Sequence, residues 1–115
     1  MNQVTSSKFE KFFSLSVDML SISNLDGFFE VVNDAFVLVL GYSKEELTQT
    51  SYLSFIHPQD IDATKKEMKS LSEGKSTQHF SNRFKHKNGH FLTFDWTAQY
   101  DSESKRIYSV ARDIT

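Results

Sequence analysis

One dipeptide constrains the fold more than any other feature of the chain. Asn88-Gly89 stands between Thr77–His86 and His90–Tyr100, and Asn-Gly is the pair a type I′ turn prefers, because both central residues of that turn need positive φ. In the second run Leu92, Phe94, Trp96, Ala98 and Tyr100 alternate with Thr93, Asp95, Thr97 and Gln99, so one face of a long hairpin must be core. Phe91 alone spoils the polar face near the turn. With two turn residues, Lys87 faces His90 and His86 faces Phe91, which keeps the two imidazoles from pairing.

The rest of the chain falls around that hairpin. Asn24-Leu25-Asp26-Gly27 predicts a second tight hairpin, between Met19–Ser23 and Phe28–Asn33. After a polar loop from Asp101 to Lys105, Arg106–Asp113 predicts a last strand. Between the hairpins the period turns helical. Asn33 is placed to cap Asp34–Leu40 and Gly41 to end it in a left-handed conformation. Ser43-Lys44-Glu45-Glu46 fits a capping box for a short helix ending near Leu47. Tyr52–Ile56 is an aromatic-aliphatic patch, and beyond Pro58 the carboxylate of Asp60 is placed to cap a helix reaching about Leu71, with Ile61, Thr64, Met68 and Leu71 as its apolar stripe. Phe9, Phe12 and Phe13 have helical spacing and predict an amphipathic N-terminal helix, preceded by a polar, frayed stretch over 1–7. Helix, two strands, three short helices and three strands read as α+β, a five-stranded antiparallel sheet with short helices on one face and a pocket between them.

Composition removes whole classes of function. At 115 residues the chain is one domain. No Cys means no disulfide, no thiolate metal cluster and no thiol nucleophile. A net charge of −2 lacks the basic footprint of a nucleic-acid binder. The longest apolar run, Ala35–Leu40, is too short for a membrane span, and the polar start is no secretory signal, so the segment is expected to be soluble and cytoplasmic. Every carboxylate candidate for acid–base work has a structural role: Glu45 and Glu46 in a cap, Asp60 and Asp62 at a helix start, Asp101 and Glu103 in a loop. No Gly-rich phosphate loop exists, so no catalysis is expected in this chain. His57, His79, His86 and His90 show no convergent ligand spacing, and no metal is expected.

From about Phe12 to Thr115 the wording becomes specific. FFSLSVDMLSISNLDGFFEVVNDAF, LGYSKEEL, FIHPQD, and FKHKNGHFLTFDWTAQ running on to IYSVARDIT occur in an order that resembles a PAS domain, the sensory and dimerising module of many signalling proteins. The opening, Trp96 seven residues after Gly89, and the ending are similar to PAS modules of bacterial sensor histidine kinases and diguanylate cyclases. Asp34 departs from the Pro frequent there, and suits a helix start equally well.

The resemblance implies a lead-in and dimerisation helix over 1–14 and a PAS domain over 15–115. It implies a homodimer that relays a conformational change to a covalently linked C-terminal effector, first of all a histidine kinase in a two-component system, whose membrane anchor, if any, lies elsewhere. A diguanylate cyclase or phosphodiesterase parent and a stand-alone small-molecule, flavin or haem sensor are the alternatives. Asp113-Ile114-Thr115 resembles the closing triplet of such modules, which gives Arg112, Asp113 and Thr115 a part in signal relay. Phe9, Phe12 and Phe13 either contact a second copy or cap their own domain. No cofactor is expected: thiol-linked chromophores are excluded, an axial His is missing from the helix that offers only Met68, and a non-covalent flavin would need only aromatics and an amide. Phe36, Met68, Asn82, Phe84, Phe94 and Trp96 are the candidate pocket lining, the aromatics among them equally suited to plain core. Asn82 shares a face with Phe80 and Phe84, and its amide must find a partner, in the protein or in a ligand, or cost about 1–3 kcal/mol.

Overall fold

The structure, a computed structural model, describes residues 3–115, with side chains from residue 8 onward. Its elements are α1 (Gln3–Leu15), β1 (Met19–Asn24), β2 (Phe29–Val32), α2 (Asp34–Leu40), α3 (Lys44–Thr48), two single 3-10 turns (Tyr52–Phe55 and Pro58–Asp60), α4 (Ile61–Ser72), β3 (Thr77–Lys85), β4 (Phe91–Asp101) and β5 (Arg106–Asp113). The stretch expected to fray is helical from Gln3, since nothing in it breaks a helix, while residues 1 and 2 lie outside the described residues.

All sheet neighbours are antiparallel, in the order β2-β1-β5-β4-β3. The chain leaves β2 at one edge and re-enters at β3 on the other. The helices between them must therefore cross one face, and they cover it. Across that inner face the register sets side chains in rows: Met19, Ala111, Trp96 and Phe80 form one, and Ser21, Ser109, Ala98 and Thr77 form the next. The core gathers on the first row and beyond it, where Phe84 meets Phe94 at 5.4 Å and Trp96 at 5.5 Å, and Phe29 meets Phe36 at 5.2 Å between ring centres. Each such ring buried contributes about 1.5–3 kcal/mol.

Three local expectations are corrected by tertiary contacts. The β3–β4 loop has three residues, not two: Lys85 pairs with Phe91, the His86 amide donates to the His90 carbonyl at 2.7 Å, and only Gly89 in the loop has positive φ, at 102°. This is the arrangement of a three-residue loop closed by a left-handed Gly. The Lys87 amide is thereby free to donate to the Leu40 carbonyl at the end of α2, at 2.9 Å. His86 and His90 do face each other, their rings stacked at 4.5 Å. Phe91, the misfit of the polar face, packs on the His57 ring at 4.6 Å.

Asn33 occupies the cap position of α2 but its side chain does not cap. Its Oδ1 accepts from the Leu20 amide and its Nδ2 donates to the carbonyls of Phe13 and Asp18. Asp60 likewise leaves α4 uncapped. Its carboxylate takes the Arg83 amide at 2.8 Å and the Arg83 guanidinium at 2.8 and 2.9 Å, tying the start of α4 to β3. A charged fork offers a carboxylate more than a helix amide does. By contrast the capping box at Ser43 and Glu46 forms as expected, and Gly41 ends α2 at φ 83°.

Candidate functional site

The row of small residues leaves a gap. Where Ser109, Ala98 and Thr77 follow a row containing Trp96 and Phe80, the sheet floor drops and the helices above cannot fill it. The resulting cavity lies between that floor, α4 and the Tyr52 turn, with about 60 Å³ open to the centre of a water molecule. By that measure one water needs about 10–15 Å³, so the space suits a few waters or one very small guest.

Of the six expected lining residues, Met68, Asn82, Phe84 and Trp96 border the cavity. Phe36 and Phe94 do not: both are wholly buried at the filled end of the sheet, where they back Trp96 and Phe84. The alternation placed them on the inner face, but only the step from Trp96 to Ala98 decides where the void opens. Sequence reasoning missed the floor itself, Ser23, Thr77, Ala98, Ile107 and Ser109, and the walls Phe29 and Tyr52. The available signal was a run of small inward-facing residues in otherwise bulky strands.

The polar groups around the cavity are mostly paired. Asn82 is 4% exposed; its Nδ2 donates to Thr64 Oγ1 at 3.2 Å and its Oδ1 accepts from the Trp96 indole at 2.7 Å. The amide thus has protein partners on α4 and β4. Thr77 donates to Glu67 at the rim at 2.7 Å. Burial pushes the Tyr52 phenol well above its ordinary range. Ser21 Oγ, on the inner face beside Ser109, is buried with no hydrogen-bond partner.

Residues 113–115 form a second constellation with β4. Thr115 Oγ1 accepts from the Thr93 amide at 2.9 Å and donates to Asp113 Oδ1, which also takes the Thr115 amide at 2.9 Å. The Ile114 amide donates to the Thr93 carbonyl at 2.9 Å. Asp113 and Thr115 therefore come together on β4, whereas Arg112 points away and lies 3.6 Å from Asp18. Phe9 and Phe13 stack at 6.0 Å and border a groove on the outer sheet face with Leu20, Ile22, Tyr108 and Val110, while Phe12 stands 77% exposed. Among the described residues no group of three His, Asp or Glu could hold a metal ion, and no helix is long and apolar enough to cross a membrane.

Known structures share this architecture. The PAS domain of an HTR-like protein from Haloarcula marismortui is similar with a TM-score of 0.83 at 23% identity, over 98% of this chain and 100% of that one. A domain of a sensory box sensor histidine kinase/response regulator from Geobacter sulfurreducens reaches 0.80 at 20% identity, over 95% and 94%. PAS-B of Drosophila melanogaster Cycle, solved with bound ethylene glycol, reaches 0.70 at 20% identity, over 83% and 96%. Among curated proteins, none matches the sequence. The family model described as the PAS fold matches residues 29–111, from the first residue of β2 into β5. With that match spanning most of the chain, and the sheet order and helical crossing in place, this chain belongs to the PAS fold family, as a sensory and signalling domain.

Proposed function

We propose that this PAS domain is the relay module of a bacterial two-component sensor histidine kinase, working in the cytoplasm as a homodimer and passing a distortion of its sheet to a C-terminal effector. The observation that carries this reading is the exit clamp. Thr115 is bonded at once to the β4 amide of Thr93 and to Asp113, so a shift of β4 against β5 must move the chain as it leaves the domain. Two similar structures are themselves sensor histidine kinase domains, which favours that parent over a cyclase. The uncovered apolar residues of α1 and of the outer sheet face, Phe12 and Leu15 with Tyr108 and Val110, favour a second copy as partner.

A cavity of this size argues for relay over cofactor sensing. Cofactor pockets run to about 300–1,000 Å³, well above the ≈ 60 Å³ here, which favours relay over flavin or haem sensing. A second reading, a sensor of a very small molecule, draws on the gap above Ser109 and Ala98.

The test is Asp113→Ala in the full-length protein. The isolated domain should melt close to wild type, because the Asp113 bonds are exposed. Basal autophosphorylation of the parent should depart from wild type several-fold. Autophosphorylation equal to wild type would overturn the relay reading.

A further inference from the structure

Asn33 is completely buried, and its side chain is bonded wholly to the joint between the N-terminal helix and the sheet. Oδ1 accepts from the Leu20 amide at 3.0 Å; Nδ2 donates to the Phe13 carbonyl in the last turn of α1 at 3.0 Å and to the Asp18 carbonyl at 2.9 Å. Among the described side chains of α1, Phe9, Phe12 and Leu15 are exposed, and only Phe13 near its end is half-buried. With so little apolar burial in the described C-terminal half of α1, the buried amide fixes where that end of the helix sits.

Asp18 is also the last residue before the ladder that joins β1 to β5 begins, at Met19 opposite Ala111. Its carboxylate is 3.6 Å from Arg112, the next residue along β5 and the neighbour of Asp113 in the exit clamp. One residue is thus held through its backbone by the amide that anchors α1 and through its side chain by the strand that leads to the exit.

We infer that Asp18 is the joint through which a displacement of α1 reaches the exit of β5, with Asn33 fixing the α1 side and Arg112 the β5 side. An input arriving at the N-terminal helix then reaches Asp113 and Thr115 without crossing the cavity. The purpose of this joint rests on the relay reading; the coupling is a property of the domain and is measured in it, so its failure leaves the Asp113 test standing.

Hydrogen–deuterium exchange on the whole chain, read by mass spectrometry, tests it. Asn33→Asp keeps an acceptor for Leu20 but sets carboxylate oxygens against the carbonyls of Phe13 and Asp18. Exchange should become roughly tenfold faster both over 3–18 and over 112–115, the scale of a lost buried hydrogen bond, with 77–101 unchanged. Arg112→Gln, an exposed change, should speed 112–115 and leave 3–15 alone; in the double variant 112–115 should be no faster than in Arg112→Gln. A freed α1 with 112–115 at its wild-type rate overturns the joint, and so does uniform acceleration that includes 77–101. Should Asn33→Asp not fold, an Arg112→Gln exit at the wild-type rate overturns it alone.

Discussion

The indole N–H of Trp96 donates to Asn82 Oδ1 at 2.7 Å, across the β3–β4 pair and inside the core. Asn82 passes the chain of bonds on to Thr64, whose hydroxyl donates to the Asp60 carbonyl at 2.8 Å. A wall of the cavity is thereby fixed to the helix above it. The only Trp in the chain reports on that contact.

Asn82→Leu fills much the same space but leaves the indole N–H unpaired. Stability to urea should fall by about 1–3 kcal/mol, the cost of stranding a buried polar group. Unfolding followed by Trp96 fluorescence measures it. Wild-type stability would show that another group takes the indole hydrogen.

Two glycines separate backbone strain from contact. Gly41 and Gly74 both have positive φ, 83° and 96°, where a side chain costs about 1–2 kcal/mol. A Cβ at Gly74 meets nothing within 4 Å, whereas at Gly41 it meets the His86 ring at 3.0 Å. Gly41→Ala should therefore lower the thermal midpoint more than Gly74→Ala. In a double-mutant cycle with His86→Ala the excess should vanish; equal midpoints for the single variants would remove the contact from the account.

Acid should weaken the tie between α4 and β3. The Arg83 guanidinium, bonded to Asp60, holds that carboxyl below its ordinary value of 3.8, with the Arg83 amide acting in the same direction. A carboxyl depressed in the folded state contributes stability above its unfolded pKa and loses it as pH falls through the folded one. Chemical denaturation between pH 6 and pH 2, a range of about four units around the usual Asp value, should show a smaller acid loss for Asp60→Asn than for wild type. Parallel curves would mean the pair adds nothing to the pH dependence.

Ser21 carries a hydroxyl with no partner in the core. Ser21→Ala should leave stability unchanged or raise it by up to about 1 kcal/mol, since an unsatisfied polar atom is removed without loss of a bond. Calorimetry decides. A clear loss would reveal that the hydroxyl has a partner, such as a buried water.

Phe12 is exposed on α1 and is expected to contact a second copy. Phe12→Ser should lower the dimer fraction in sedimentation equilibrium several-fold while the thermal midpoint of the monomer stays put. An unchanged association constant would remove this side chain from the dimer.

The periodicity of Leu92, Phe94, Trp96 and Ala98, the hairpin at Asn88-Gly89 and the helical stretch after Asn33 are local properties, which is why order, type and inner face of the elements were legible in the sequence alone. The part given to Asp113-Ile114-Thr115 came from the family resemblance alone, and the bonds these residues make, two residues along the chain and to one neighbouring strand, were not read from the sequence. What the tertiary structure decided were choices between partners. Asn33 and Asp60 stand at helix starts, yet each found a stronger set of bonds from residues distant in sequence. The β3–β4 loop took a third residue, bringing His86 against His90 and its own Lys87 amide to the end of α2. Phe94 and Ala98 share one face of one strand, but whether that face meets ring or void depends on what β5, β3 and α4 place opposite, and no pattern within a single strand contains that.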